Sequence, residues 1–211
     1  MSGYPIALDL RGRRALVVGL GTVGRRKAVG LLAAGASVLG VDPRARALEV
    51  PAGVEARAEP FQAEHLEGIA LVLASATPEI NRRVVAEARA LGIWVSAASG
   101  PDRGDFTIPA VWRAGRLTLT VSTGGASPAL AAALRDRAAE ALGPASAGLV
   151  ALLAELRPLA IARLDDPERR RRLLAAWADP RWLETWANDG PEAVRRGLLR
   201  ALDEADGARP A

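Results

Sequence analysis

Residues 14–24 read RALVVGLGTVG, and the architecture of the N-terminal half follows from them. The first residues are a short, valine-rich apolar run, the composition of a strand buried on both faces. The turn Gly19-Leu20-Gly21-Thr22-Val23-Gly24 follows without a break. Ala28, Leu31 and Leu32 then recur at helical spacing up to Gly35, a natural helix stop. Residues 37–41, SVLGV, read as a second strand ending at Asp42-Pro43. That is a complete strand–helix–strand unit, and a right-handed crossover makes its two strands parallel neighbours.

The alternation continues outward. Residues 54–58 are a weak strand and 63–67 a short helical turn; residues 69–74 (IALVLA) form a buried fourth strand ending in Ser75-Ala76-Thr77. Pro78 opens a helix through Ala90, and residues 93–97 (IWVSA) are a fifth strand. Strands and helices in this order specify an α/β, doubly wound parallel sheet. Beyond the loop at 99–105 the pattern changes. Two strands are expected at 106–110 and 117–122, with a turn at Ala114-Gly115, and then an alanine-rich helix to Leu142 closed by Gly143-Pro144. From Ser146 onward the chain reads as helical, with segments starting near Ala147, Pro167, Pro180 and Pro191. The expected organisation is a Rossmann domain over 1–110, a small α+β dimerisation segment over 111–145 and a C-terminal helical domain over 146–211. The tail after Asp206 has the composition of disorder.

Composition narrows the function classes. Half of the 211 residues are hydrophobic, ample for a packed core. No apolar run is seen that reaches the ~18–20 residues of a membrane span, and the N-terminus lacks the pattern of a secretory signal. The absence of cysteine excludes disulfides, thiolate metal sites and cysteine nucleophiles, and fits a cytoplasmic protein. The single histidine, His65, excludes a multi-histidine metal cluster within one chain, so no resident metal site is expected; His65 itself reads as a solvated surface residue. Lys+Arg of 28 against Asp+Glu of 24 gives a net charge of +4, and Lys27 is the only lysine. The arginine excess reflects either codon bias or attraction to an acidic partner, and net charge does not choose between them. Arg169 to Arg172 point in four directions on a helix, so they make no nucleic-acid face. Neither a nucleic acid nor a membrane is expected as partner. Trp177, Trp182 and Trp186 are expected to pack within the helical tail.

A Gly-x-Gly-x-x-Gly turn between a strand and a helix has a specific chemistry. The first glycine permits the tight turn, the second lets a pyrophosphate approach the backbone, and the third allows close helix–strand packing. The phosphates then sit on free N–H groups at a helix N-terminus. Asp42 lies eighteen residues past Gly24, at the end of the second strand, where an acid accepts hydrogen bonds from ribose hydroxyls and favours NAD over NADP. Arg44 and Arg46 soften that preference. Ala76 and Thr77, after the fourth strand, either leave room for the cofactor's ribose and nicotinamide or merely cap the helix at Pro78.

Beyond the glycine turn, the opening PIALDL, the segment LASATPEINRRVVAEA and the stretch DFTIPAVWRAGRLTLTVSTGGASPALAAALR resemble the precorrin-2 dehydrogenase and sirohydrochlorin ferrochelatase family, the N-terminal module of siroheme synthases. The resemblance covers about residues 3–200. It implies NAD-dependent oxidation of precorrin-2 to sirohydrochlorin, with iron insertion in some members. It also implies a homodimer joined through 111–143, with the C-terminal helices closing a substrate cleft. Carried over by position, Gly19, Gly21, Thr22, Val23 and Gly24 cradle the pyrophosphate, and Asp42, Pro43 and Arg44 border the adenosine ribose. Ser127, in Gly124-Gly125-Ala126-Ser127-Pro128, matches a serine near the substrate cleft. Its turn can accept a substrate carboxylate on the Gly124 and Gly125 N–H groups, or Ser127 can simply cap the following helix.

The sequence departs from the family pattern at one position. After the fifth strand, family members commonly carry an aspartate used for proton transfer and chelation; here Ser99 stands in its place. A serine is no carboxylate base at neutral pH. Asp102 and Asp105 follow in the same loop as substitutes, each with an alternative as a turn-capping residue. Dehydrogenation survives this change because hydride transfer depends mainly on positioning, whereas metal insertion is weakened. Two rival readings remain: a regulatory module that senses NAD without chemistry, and a chelatase whose metal is held by substrate nitrogens and carboxylates.

Overall fold

The computed structural model describes residues 3–100 and 102–207; the tail at 208–211 and Pro101 lie outside them. The chain divides into two compact units, Met1–Ile108 and Pro109–Ala211.

In the first unit the expected strands form a parallel sheet of five. They are β1 (Arg14–Val18), β2 (Ser37–Val41), β3 (Val54–Arg57), β4 (Ile69–Ala74) and β5 (Trp94–Ala97), in the order β3-β2-β1-β4-β5. All adjacent pairs are parallel, with Val18 level with Val41 on one side and with Ala74 on the other. The sheet is central and apolar because each face has its own cover. Helix α1 (Thr22–Ala33) packs Ala28 and Leu31 with Leu10 and half-buried Phe106 on one face. Helix α2 (Pro78–Ala90) packs Val84, Val85 and Ala88 with Phe61 and Leu66 on the other. β3 reads weakly in sequence because it is an edge strand whose residues are exposed except for half-buried Val54. The strand order reverses between β1 and β4, so the carboxyl ends of β1, β2 and β4 border the crevice in which such sheets bind ligands.

In the second unit, β6 (Ala110–Ala114) and β7 (Leu117–Val121) form an antiparallel hairpin, joined through Gly115 at φ 56°. The strand expected at 106–110 is therefore displaced toward the C-terminus: Phe106 is drawn into the core of the first unit instead of into a ladder. The helix expected to close at Leu142 continues as α3 (Pro128–Arg163), broken only at Gly143, where φ is 60°. An 18-residue window of α3 reaches a mean hydropathy of 1.5, although Glu155 and Arg157 interrupt the apolar stretch that begins at Ala141. Packing accounts for part of that apolarity, since 28% of the window is buried. Leu149, Leu152, Leu156 and Ala160 are buried against α4 (Pro167–Trp177), α5 (Arg181–Asp189) and α6 (Pro191–Gly207). Trp177 is 1% exposed and donates its indole N–H to the Leu198 carbonyl at 3.1 Å. Trp182 and Trp186 lie over Gly197 and Gly148, where an added Cβ would come within 2.5 and 2.3 Å of their rings. The tryptophans are packing residues, as the spacing predicts. The arginine run is dispersed too: Arg169 pairs with Asp166, Arg170 donates to the Leu164 carbonyl and Arg171 pairs with Glu168.

Candidate dinucleotide site

The three glycines of the turn are required for three different reasons. Gly19 has φ 88°, and a Cβ there would lie 2.6 Å from the Ser75 carbonyl oxygen, so the turns after β1 and β4 touch backbone to backbone. At Gly24 a Cβ would stand 1.8 Å from the Gly19 carbonyl oxygen, so helix α1 can pack onto its own turn only without a side chain. Gly21 is different: a Cβ would meet nothing within 4 Å. The room in front of Gly21 is open, and Gly21 is the N-cap of α1 with no side chain capping the helix and no acid in its first turn. Free N–H groups and the positive end of the helix dipole therefore face that room, the arrangement a pyrophosphate needs. Thr22 and the 40%-exposed Val23 begin the helix beside it. The Ser75 hydroxyl is buried at the end of β4 with no hydrogen-bond partner among the described residues. These features fit a bound dinucleotide.

Asp42 sits where the spacing places it, at the end of β2 before exposed Pro43, but its carboxylate is not held out toward a ligand. It is 5% exposed. One oxygen accepts the Leu20 N–H at 2.9 Å and the other the Arg44 N–H at 2.8 Å. The side chain thus staples the glycine turn to the end of β2. The Arg44 guanidinium stands 3.7 Å from it and is 75% exposed.

On the other side of Gly19, the turn after β4 is built by a residue the sequence reading did not single out. Asn81, on α2 and 1% exposed, accepts the Ala76 N–H at 2.9 Å and donates its amide to the Ala76 carbonyl. The same amide donates to the Ser99 hydroxyl oxygen at 2.9 Å. Thr77 caps α2 by accepting the Ile80 N–H. Ser99 is half-buried, and its oxygen already accepts from Asn81, so its own proton remains free to donate. As part of a helical apolar pattern Asn81 gives no signal in sequence; only the fold brings it to Ser99.

The two aspartates expected to substitute for a catalytic carboxylate are otherwise engaged. Asp102 accepts the Gly104 N–H at 2.9 Å and pairs with Arg89 of α2. Asp105 pairs with the same arginine at 2.7 Å and accepts the Val95 N–H at 3.0 Å, fixing the loop to β5. The Gly104 N–H, and after it the Arg89 guanidinium, hold the Asp102 carboxyl below the usual carboxylate range. A carboxylate stabilised in its charged form is a poor proton acceptor, which bears on Asp102; in this structure the carboxylates of both Asp102 and Asp105 bond within the loop and to Arg89.

In the second unit, Ser127 caps α3, accepting the Leu130 N–H at 3.1 Å. Gly124 and Gly125 take φ of 62° and 88°. The Gly124 N–H, expected to be free for a carboxylate, is donated to the Ser122 hydroxyl, and the Ala126 and Ser127 N–H groups are taken by Thr123. His65 also departs from expectation. It is 6% exposed, accepts the Gln62 N–H on Nδ1 at 3.0 Å and bonds Glu59 through Nε2 at 2.9 Å. It closes a capping box on a short helical turn rather than facing solvent.

Comparison with known proteins agrees with this geometry. Residues 6–110 match the family described as "Putative NAD(P)-binding", and residues 115–137 match "Sirohaem biosynthesis protein central". Siroheme synthase 1 of Halorhodospira halophila is 39% identical over 219 residues, covering 100% of this chain and 45% of the relative. The siroheme synthase of Methylococcus capsulatus is 34% identical, covering 97% of this chain and 44% of the relative. Over nearly its whole length this chain is similar to siroheme synthases. It spans less than half the length of those two relatives. A solved structure titled "SirC, precorrin-2 dehydrogenase" superposes with a TM-score of 0.72 at 25% identity, covering 96% of this chain and all of that one. The residues that match the NAD(P)-binding family include the glycine cradle described above.

Proposed function

We propose that the protein is an NAD-dependent dehydrogenase that oxidises precorrin-2 to sirohydrochlorin on the branch to siroheme, and that it works as a homodimer. The observation that carries the reading is the coincidence of an open, uncapped glycine cradle with similarity to siroheme synthases and with a likeness to a precorrin-2 dehydrogenase over that protein's whole length. The nicotinamide, when bound, supplies the hydride acceptor. The chain's own residues do the rest. Gly21 and the first turn of α1 bind the pyrophosphate, Asp42 holds the turn in shape, and Asn81 fixes the Ser99 hydroxyl at the end of β5. Ser99 can donate a hydrogen bond but is not a base, and Asp102 and Asp105 are held by Arg89. Iron insertion, which requires proton removal from macrocycle nitrogens, is therefore slow or absent. The arginine excess suits a substrate rich in carboxylates.

The test follows NADH formation and iron insertion separately, with precorrin-2 supplied anaerobically. NADH should form in proportion to sirohydrochlorin, while iron insertion should lag by roughly the 10²- to 10⁴-fold that a positioned general base supplies. Efficient insertion by the wild-type protein overturns the assignment for Ser99. No NADH with authentic precorrin-2 overturns the dehydrogenase reading and favours an NAD-sensing module.

A further inference from the structure

We propose that the adenosine end of the site accepts a 2′-phosphate, so that the protein binds NADP as well as NAD, with Arg44 and Arg46 contacting the phosphate and Asp42 acting only as a positioning residue. The inference rests on the dinucleotide reading above and goes beyond it in naming the ligand class. An acid at the end of the second strand discriminates against NADP by offering its oxygens to the ribose hydroxyls and its charge to the phosphate. Asp42 offers neither freely. Its two oxygens accept the Leu20 and Arg44 N–H groups at 2.9 and 2.8 Å, and the residue is 5% exposed. Its charge is further offset by the Arg44 guanidinium at 3.7 Å.

What the site does present at this end is positive charge. Arg44 is 75% exposed beyond its contact with Asp42. Two residues on, exposed Arg46 lines an open cleft of about 510 Å³ together with Ala45, Ala56, Arg57, Ala58 and Glu59, at the carboxyl ends of β2 and β3. Arg57 is paired with Glu55, and Glu59 is bonded to the His65 ring. Arg46 has no ionic partner within 4 Å among the described residues, and Arg44 has only the weak contact with buried Asp42. Guanidinium groups with unused donors beside a ribose site are what a phosphate monoester requires.

Calorimetry on the full chain tests this with NAD, NADP, 2′,5′-ADP and 5′-ADP. NADP should bind within about tenfold of NAD. In Arg46→Ala, NADP and 2′,5′-ADP should weaken by about tenfold or more, while NAD and 5′-ADP change by less than about threefold. Asp42→Asn, measured well below its melting temperature, should weaken NAD, NADP and 5′-ADP alike and leave the NADP-to-NAD ratio where it was. A wild-type preference for NAD above about a hundredfold, or equal weakening of both dinucleotides in the arginine variant, overturns the inference while leaving the NAD site standing. So does selective recovery of NADP binding in Asp42→Asn, which would make the carboxylate a reader of the ribose. Failure of both dinucleotides to bind overturns the dinucleotide reading and this inference together.

Discussion

The glycines of the turn separate stability from binding at single residues. Gly19 and Gly24 are held by neighbouring backbone at 2.6 and 1.8 Å from where a Cβ would be, and backbone cannot step aside as a flexible side chain can. Gly19→Ala adds a left-handed φ to its clash. Each alanine variant should lose more than about 3 kcal/mol of stability. Gly21, at φ −63° and ψ −175° with nothing within 4 Å, tolerates a methyl group. Gly21→Ala should keep its melting temperature while binding NAD about tenfold or more weakly, because the methyl occupies the room a pyrophosphate needs. Thermal melts and calorimetry on the three variants check this; a Gly21→Ala protein with normal NAD affinity would remove that glycine from the site. The spacing of these glycines was readable in sequence because the motif encodes local backbone geometry. The reason for Gly19 was not, since Ser75 lies 56 residues away and meets it only through strand order. Asn81 and His65 were hidden likewise: a polar residue on an amphipathic helix looks solvated until its partners, Ser99 and Glu59, are brought to it.

At the scale of the element, the segment after β5 shows how one arginine can fix a loop. Arg89 reaches from the last turn of α2 to both Asp102 and Asp105, and Asp105 in turn holds the Val95 N–H. These ion pairs are substantially exposed, so their worth is small and salt-sensitive. The folded Asp102 pKa lies below its ordinary value, first through the Gly104 N–H and then through Arg89. The sign follows: the contribution is present at neutral pH and is lost as pH falls from about 4, the unfolded carboxylate range, through the lowered folded value. The Gly104 amide shift, followed by NMR against pH, should report a midpoint below about 3.9, and Arg89→Leu should move it upward. A midpoint at or above the free-carboxylate value in the wild-type protein would return Asp102 to the list of available bases. The element pattern itself was legible from periodicity in the first unit, where a doubly covered parallel sheet demands continuous apolar strands. It slipped at 106–110, where an apolar run serves as core filler and not as a strand, and at Gly143, where a glycine–proline pair interrupts a helix without ending it.

For the whole molecule, the second unit is built with less core than its secondary structure requires. Between Pro109 and Leu142, Ala131 is the single buried residue among those described. The β6–β7 hairpin and the first turns of α3 pack on each other, yet Trp112, Leu117, Leu119 and Val121 stay half-buried, and Leu130 and Leu134 are 51% and 43% exposed. A two-stranded hairpin is marginal in water without a covered apolar face, and exposed leucines one helical turn apart on α3 offer a strip for another surface. By contrast, residues 149–202 carry their own core around Trp177 and Leu156 and need no partner. A second copy of the chain, meeting the same strip across a two-fold axis, would supply the missing cover economically, because one self-complementary patch serves both subunits. Light scattering at micromolar concentration should therefore give the mass of a dimer. Leu130→Glu/Leu134→Glu should shift it to monomer while the 149–202 helices keep their far-ultraviolet signature, since a buried carboxylate without a partner costs several kcal/mol per subunit at such an interface. NAD affinity separates the two halves of the argument: the glycine cradle lies wholly in 1–108, so the monomeric variant should bind NAD as the wild type does and fail only in turnover. A wild-type monomer, or a dimer indifferent to both glutamates, would leave the open face of α3 without an occupant and would send the search for the interface elsewhere.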